Sequence, residues 1–140
     1  MSKLIIANWK LNPESVAEAK KLAKESDIAD LVICPPFPYM EDVGGIIKKA
    51  KLGAQDLFWE EKGAFTGEIS GSQIKEFGAE YVIIGHSERR QNVGETDEMV
   101  AKKIAAALKD GLIPVMCVGE TRPERDKNKT KEGYASLLTE

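Results

Sequence analysis

Histidine is nearly absent from this chain: there is one, His86, in 140 residues. Cysteine is scarce as well, with only Cys34 and Cys117. One imidazole and two distant thiols cannot fill a four-ligand zinc site, so neither a metal nor another cofactor is expected. Each thiol ends an apolar run, and buried reduced cysteines are expected in preference to a disulfide. No block of basic charge occurs, and the net charge is −3. Long-range attraction to nucleic acid or to an anionic membrane is therefore not expected. The apolar runs are too short to span a bilayer. At the N-terminus, MSKLIIANWK has only Leu4–Ala7 as an apolar core before Lys10. That is not a secretory leader, and a cytoplasmic protein is expected. Linkers and low-complexity segments are missing too, so residues 1–140 read as a single domain.

What is there is an alternation of two patterns. Short runs rich in Ile and Val read as buried strands: Leu4–Trp9, Leu31–Cys34, Tyr81–Ile84 and Ile113–Val118, with a weaker one at Leu52–Gln55. Between them lie stretches of helical period. Asn12-Pro13 predicts a cap and a first helical proline, followed by Val16, Ala19 and Ala23 on one face. Met40, Val43, Ile47 and Ala50 predict a second helix, although Gly44-Gly45 inside it is a poor helix choice. Ser70-x-x-Gln73 predicts a capping box, and Gly78 a helix stop. Thr96-Asp97-Glu98 predicts a capped start, with Val100, Ile104 and Leu108 as the apolar stripe and Asp110-Gly111 as the end. Residues 121–140 read as a polar loop and, at Tyr134–Leu138, the beginning of a helix. Strand–helix alternation with fully apolar strands predicts an α/β fold with a parallel sheet of about five βα units.

In such a fold, chemistry gathers beyond the carboxyl ends of the strands. Asn8 and Lys10 follow the first strand and Pro35-Pro36-Phe37 the second. Gln55 and Asp56 follow the third, His86, Ser87 and Glu88 the fourth, Gly119 and Glu120 the fifth. Each has a plain reading. A lysine after a strand is usually the return to solvent, a lone histidine is usually structural, and Glu88-Arg89 can be a surface ion pair. Local physics favours His86. If Ser87-Glu88-Arg89-Arg90 forms a helical turn, the imidazole faces unpaired backbone N–H groups, which favour its neutral form. A neutral ring with one free N–H can donate to a carbonyl or enediolate oxygen, and a nearby lysine would attract an anionic substrate.

The segments ANWKLN (7–12), CPPF (34–37), GAQD (53–56), GAFTGEIS (63–70), YVIIGHSERR (81–90), NVGETDEMV (92–100) and VMCVGET (115–121) together resemble the triosephosphate isomerase family. The departures are mild: Val93 stands where an aromatic is usual, Leu11 for methionine, Asp56 for asparagine. The resemblance implies a partial (β/α)8 barrel and an isomerase interconverting dihydroxyacetone phosphate and D-glyceraldehyde 3-phosphate. It implies that Asn8 and Lys10 contact the substrate. Lys10 would supply positive charge, and His86 would be the neutral electrophile, a role for which this family is the standard example. Ser87 and Glu88 would line the site, with Glu88 near Lys10. Arg89 and Glu95 would be structural charges, and Cys117 a buried thiol beneath the site. The loop around Phe65-Thr66-Gly67 would reach into a neighbouring subunit.

The family's general base is a glutamate in a Y-E-P-[VI]-W-A-like motif after strand six. That motif is not in this sequence, nor are the phosphate-holding turns after strands seven and eight. A complete barrel takes about 250 residues. These residues are therefore expected to be inactive alone and to need a complementary C-terminal barrel segment. The alternatives are a catalytically inactive, self-associating fragment and a non-catalytic α/β binding module.

Overall fold

The computed structural model describes residues 3–120 and 122–126. Strands β1 (Ile5–Asn8), β2 (Leu31–Cys34), β3 (Lys51–Ala54), β4 (Tyr81–Ile84) and β5 (Ile113–Met116) pair in parallel, in chain order. They form a half-barrel. Register sets Asn8 beside Cys34 and Ile84 beside Met116, so the strands finish on one rim.

The central strands β2 and β4 are apolar because both faces of the sheet are covered there. Leu31, Ile33, Leu52, Ala54, Val82 and Ile84 pack outward against helical residues Ala19, Ala23, Met40, Val43, Ile74, Val100 and Ala107. The alternate residues Val32, Cys34 and Ile83 make a second, inner cluster with Ile6, Tyr81 and Cys117. The outer strands are less protected: Ile5 is 55% and Ile113 51% exposed. Among the described residues nothing pairs with their outer edges, which leaves backbone groups open for pairing. Among the described residues no helix is long and apolar enough to cross a membrane.

The helices are α1 (Val16–Glu25), α2 (Met40–Gly44, entered through a 3-10 turn at Phe37–Tyr39), α3 (Gly71–Glu76), α4 (Ser87–Val93), α5 (Asp97–Lys109) and α6 (Arg122–Asp126). The capping box at α3 is complete, with Ser70 and Gln73 serving each other's backbone. Thr96 caps α5 by accepting from the Met99 N–H at 3.3 Å.

Four expectations need correction. Asn12 does not cap α1. Its amide lies 3.5 Å from the Trp9 carbonyl, and Ser15 caps instead, accepting from the Glu18 N–H. The second helix stops at Gly44, well short of Ala50, and glycine stands at 44 because a side chain fits poorly there. A Cβ there would sit 3.1 Å from both Leu52 Cδ2 and the Phe77 carbonyl oxygen. Residues 48–50 are held by the Asp27 carboxylate, which accepts their three backbone N–H groups. The buried face of α5 is Val100, Lys103 and Ala107, while Leu108 is 61% exposed. Finally, the segment after Thr121 is not all loop, since Arg122 and Asp126 pair one turn apart in α6. The expected helix start at Tyr134–Leu138 lies outside the described residues.

Candidate active site

Lys10 follows β1 in an unusual backbone conformation. Its φ of +56° is the left-handed region, which a side chain with a Cβ rarely adopts. Both of its backbone groups are tied down. Its N–H donates to Asn8 Oδ1 at 2.9 Å, and its carbonyl accepts from Gln55 Nε2 at 2.8 Å. Gln55 also donates to the Cys34 carbonyl at 3.0 Å, joining the ends of three strands. The Lys10 ammonium lies 2.6 Å from Glu88 Oε1. That hydrogen bond holds the Glu88 carboxyl below its ordinary value. Both side chains are about half exposed, so the pair adds little to stability. Its effect is to fix where the ammonium sits.

His86 follows Gly85, whose φ is +74°. A Cβ at Gly85 would lie 3.1 Å from Arg90 and from Val100, so glycine is needed there for both conformation and space. His86 is the N-cap of α4, its Nδ1 accepting the Glu88 N–H at 3.2 Å. The helical turn expected from Ser87-Glu88-Arg89-Arg90 is present and runs on to Val93. A ring nitrogen that accepts a backbone N–H carries no proton, so the ring proton sits on Nε2. Glu88 thus touches both neighbours: its backbone N–H donates to His86 Nδ1, its Oε2 lies 3.6 Å from that nitrogen, and its Oε1 accepts from Lys10.

Asn8, Lys10, Gln55, His86 and Glu88 line one cavity of about 110 Å³. Ser87 does not line it. With Cys117 and Val118 it borders a neighbouring hollow of about 290 Å³, which His86 also lines. Cys117 is therefore not fully buried as expected, because it follows β5, which among the described residues is paired with β4 on one side only. Cys34 is fully buried, and burial pushes its thiol up to about 12. Both thiols are free. Iodoacetamide on the native chain is expected to modify Cys117 first and to reach Cys34 only after denaturation. Peptide mass spectrometry reads this directly, and early labelling of Cys34 would contradict the packing.

Beneath Lys10 and Glu88 lies a cluster that the sequence did not reveal as a unit. Lys103 Nζ is 2.7 Å from both Asp56 oxygens and is also bonded to Glu95. Arg89 reaches Asp56 at 2.7 Å and Glu95 at 3.3 Å. Arg89 and Glu95 were expected to be structural charges, and they partner each other here. Lys103 was missed. A lysine falling on the buried Val100–Ala107 face of α5 was the available signal. Two cations and two carboxylates balance formally. Burial still pushes the Asp56 carboxyl above its ordinary value, with Lys103 and Arg89 pulling it down.

The chain matches the triosephosphate isomerase family model over residues 3–140. The chain belongs to the triosephosphate isomerase family. It is 50% identical to the triosephosphate isomerase of Thermoanaerobacter pseudethanolicus, over 92% of this chain and 55% of that protein. It is 47% identical to that of Dictyoglomus thermophilum, over 99% of this chain and 59% of the relative. The crystal structure of triosephosphate isomerase from Bartonella henselae superposes with a TM-score of 0.86 at 35% identity. That match covers 99% of this chain and 60% of the other. The chain thus spans little more than half the length of these relatives and corresponds to the N-terminal portion of the triosephosphate isomerase barrel.

The long segment between β3 and α3 is also shaped. Phe58 packs on Trp59 and Phe65, with ring centroids 4.1 and 4.8 Å apart. Its backbone N–H donates to the Ile69 carbonyl at 2.8 Å, closing the loop at its base. Residues 60–68, Thr66 among them, are exposed.

Proposed function

We propose that these residues form the anion-binding and electrophilic half of a triosephosphate isomerase site. The substrate pair is dihydroxyacetone phosphate and D-glyceraldehyde 3-phosphate, in cytoplasmic glycolysis and gluconeogenesis. The observation that carries the reading is the convergence of Lys10 and His86, from different strands, on one small cavity.

The reaction moves a proton between adjacent carbons through an enediolate. Lys10, with Asn8 holding its backbone, supplies fixed positive charge for the anionic substrate and for the enediolate oxygen. His86 donates its Nε2–H to the carbonyl oxygen. A neutral donor of this kind stabilises charge as it develops, and it needs no reorganisation because the backbone already holds Nδ1. Glu88 positions both groups. Ser87 borders the site from the His86 side. Removal of the carbon-bound proton needs a positioned base within hydrogen-bond reach, and the family's glutamate motif is not in this sequence. That base is supplied by a complementary C-terminal barrel segment, which also covers the edges of β1 and β5. Without such a segment, those edges favour self-association into an inactive form. The exposed loop at Thr66 meets a second copy of the assembled enzyme.

The test is an isomerase assay on the purified chain, alone and titrated with a C-terminal barrel half carrying the glutamate. Activity appearing only on titration is expected. Association of the two halves without activity would contradict the reading and favour a binding module.

A further inference from the structure

Lys10 is half exposed and its backbone is strained, yet its ammonium meets Glu88 at 2.6 Å. Two supports hold it there. Gln55 grips its carbonyl from the end of β3, and Glu88 grips its ammonium from the first turn of α4. The residues next to these supports in the chain are Asp56 and Arg89, and these two enter the buried cluster side by side. Lys103 reaches into the same cluster from α5, binding both oxygens of Asp56 and also Glu95, which in turn binds Arg89. The side chains of Lys103, Asp56 and Glu95 are 3%, 7% and 1% exposed. Groups so deeply buried are held in one geometry, because a lost partner leaves an unpaired charge away from water. One Glu95 oxygen, Oε2, is already buried without a hydrogen-bond partner among the described residues, so the carboxylate depends on Lys103 and Arg89.

We infer that Lys103 is a positioning residue for Lys10: by locking Asp56 to Glu95 and Arg89 it fixes the β3 and α4 supports at the spacing that seats the ammonium on Glu88. The inference rests on the reading of Lys10 as a substrate-binding group, but the geometry it concerns can be measured without turnover.

The readout is the acid titration of Glu88, followed by side-chain carbon NMR in the 140-residue chain and assigned with Glu88→Gln. Lys10→Met gives the midpoint of an unheld carboxyl. Lys103→Met is expected to move the Glu88 midpoint upward, most of the way to the Lys10→Met value. The charge-balanced pair Lys103→Met with Asp56→Asn is expected to do the same, and it keeps a folded protein available if the single variant unfolds. A lower melting temperature with an unmoved Glu88 midpoint would mean that Lys103 is only structural, and would overturn the inference. An unmoved midpoint alongside activity on complementation overturns this inference alone. A moved midpoint without activity overturns the functional reading alone.

Discussion

Replacing His86 with glutamine in the complemented enzyme is expected to lower kcat by about 10²–10³-fold, the usual cost of losing one preorganised donor to a developing oxyanion. KM should change little, because a neutral donor that strengthens only as charge develops contributes mainly to the transition state. Lys10→Met should behave differently, raising KM as well as lowering kcat, because fixed positive charge acts on the substrate anion before reaction. His86→Gln should leave the stability of the chain nearly unchanged. The ring packs at the rim of the sheet, and its one backbone hydrogen bond caps a helix of seven residues. A His86→Gln enzyme with kcat intact would remove the histidine from the mechanism.

The second large effect falls on stability. Lys103→Met is expected to destabilise the chain by about 3–5 kcal/mol at neutral pH, as for any buried ion pair broken from one side. Arg89 would then face Asp56 and Glu95 alone. The loss should depend on pH in a definite direction. Burial already holds the Asp56 carboxyl above its ordinary value, and removing Lys103 pushes it higher. A folded chain whose carboxyl binds its proton more tightly than the unfolded chain gains stability as pH falls and loses it as pH rises through that interval. The gap between wild type and variant should therefore be narrowest in acid and widen toward neutrality. Urea denaturation of both proteins at several pH values measures it, and a gap that widened in acid would contradict the assignment of charges.

The positions of β2 and β4 and the place of His86 were legible because they follow from local pattern, whereas the barrel arrangement of the strands came only with the family resemblance. A short apolar run rich in Ile and Val, closed by glycine or proline, reads as a strand delivering the next residues to the rim, and β2 and β4 have the bounds read from sequence. The cap geometry of His86 was legible for the same reason, since it concerns neighbours two residues apart. What was hidden depends on contacts distant in sequence. Gly44 stands inside a helix because Leu52 and the Phe77 carbonyl come too close to it for a side chain to fit well. Asn12 loses the capping position to Ser15, a competition that two suitable residues three apart cannot settle by themselves. Lys103 falls three residues after Val100 on the helix, but its purpose stays hidden until Asp56, 47 residues away, is placed against it. Cys117 follows directly on β5, and its burial depends on what lies beside that strand. The same dependence explains why the face carrying Ile104 and Leu108 reads as core in sequence and, with Met116, lines an open groove of about 310 Å³ in the structure.

We propose that these residues carry the electrophile and the charge and that the base belongs to the C-terminal half of the barrel. The most direct test is exchange of the carbon-bound hydrogen of dihydroxyacetone phosphate in deuterium oxide, followed by proton NMR. Exchange reports proton abstraction even where the product is never released. The chain alone is predicted to exchange no faster than buffer, and the chain with a glutamate-bearing C-terminal half is predicted to exchange rapidly. Exchange above the buffer rate by the chain alone, lost on replacing one of its own carboxylates, would show that a base is already present and would contradict the account.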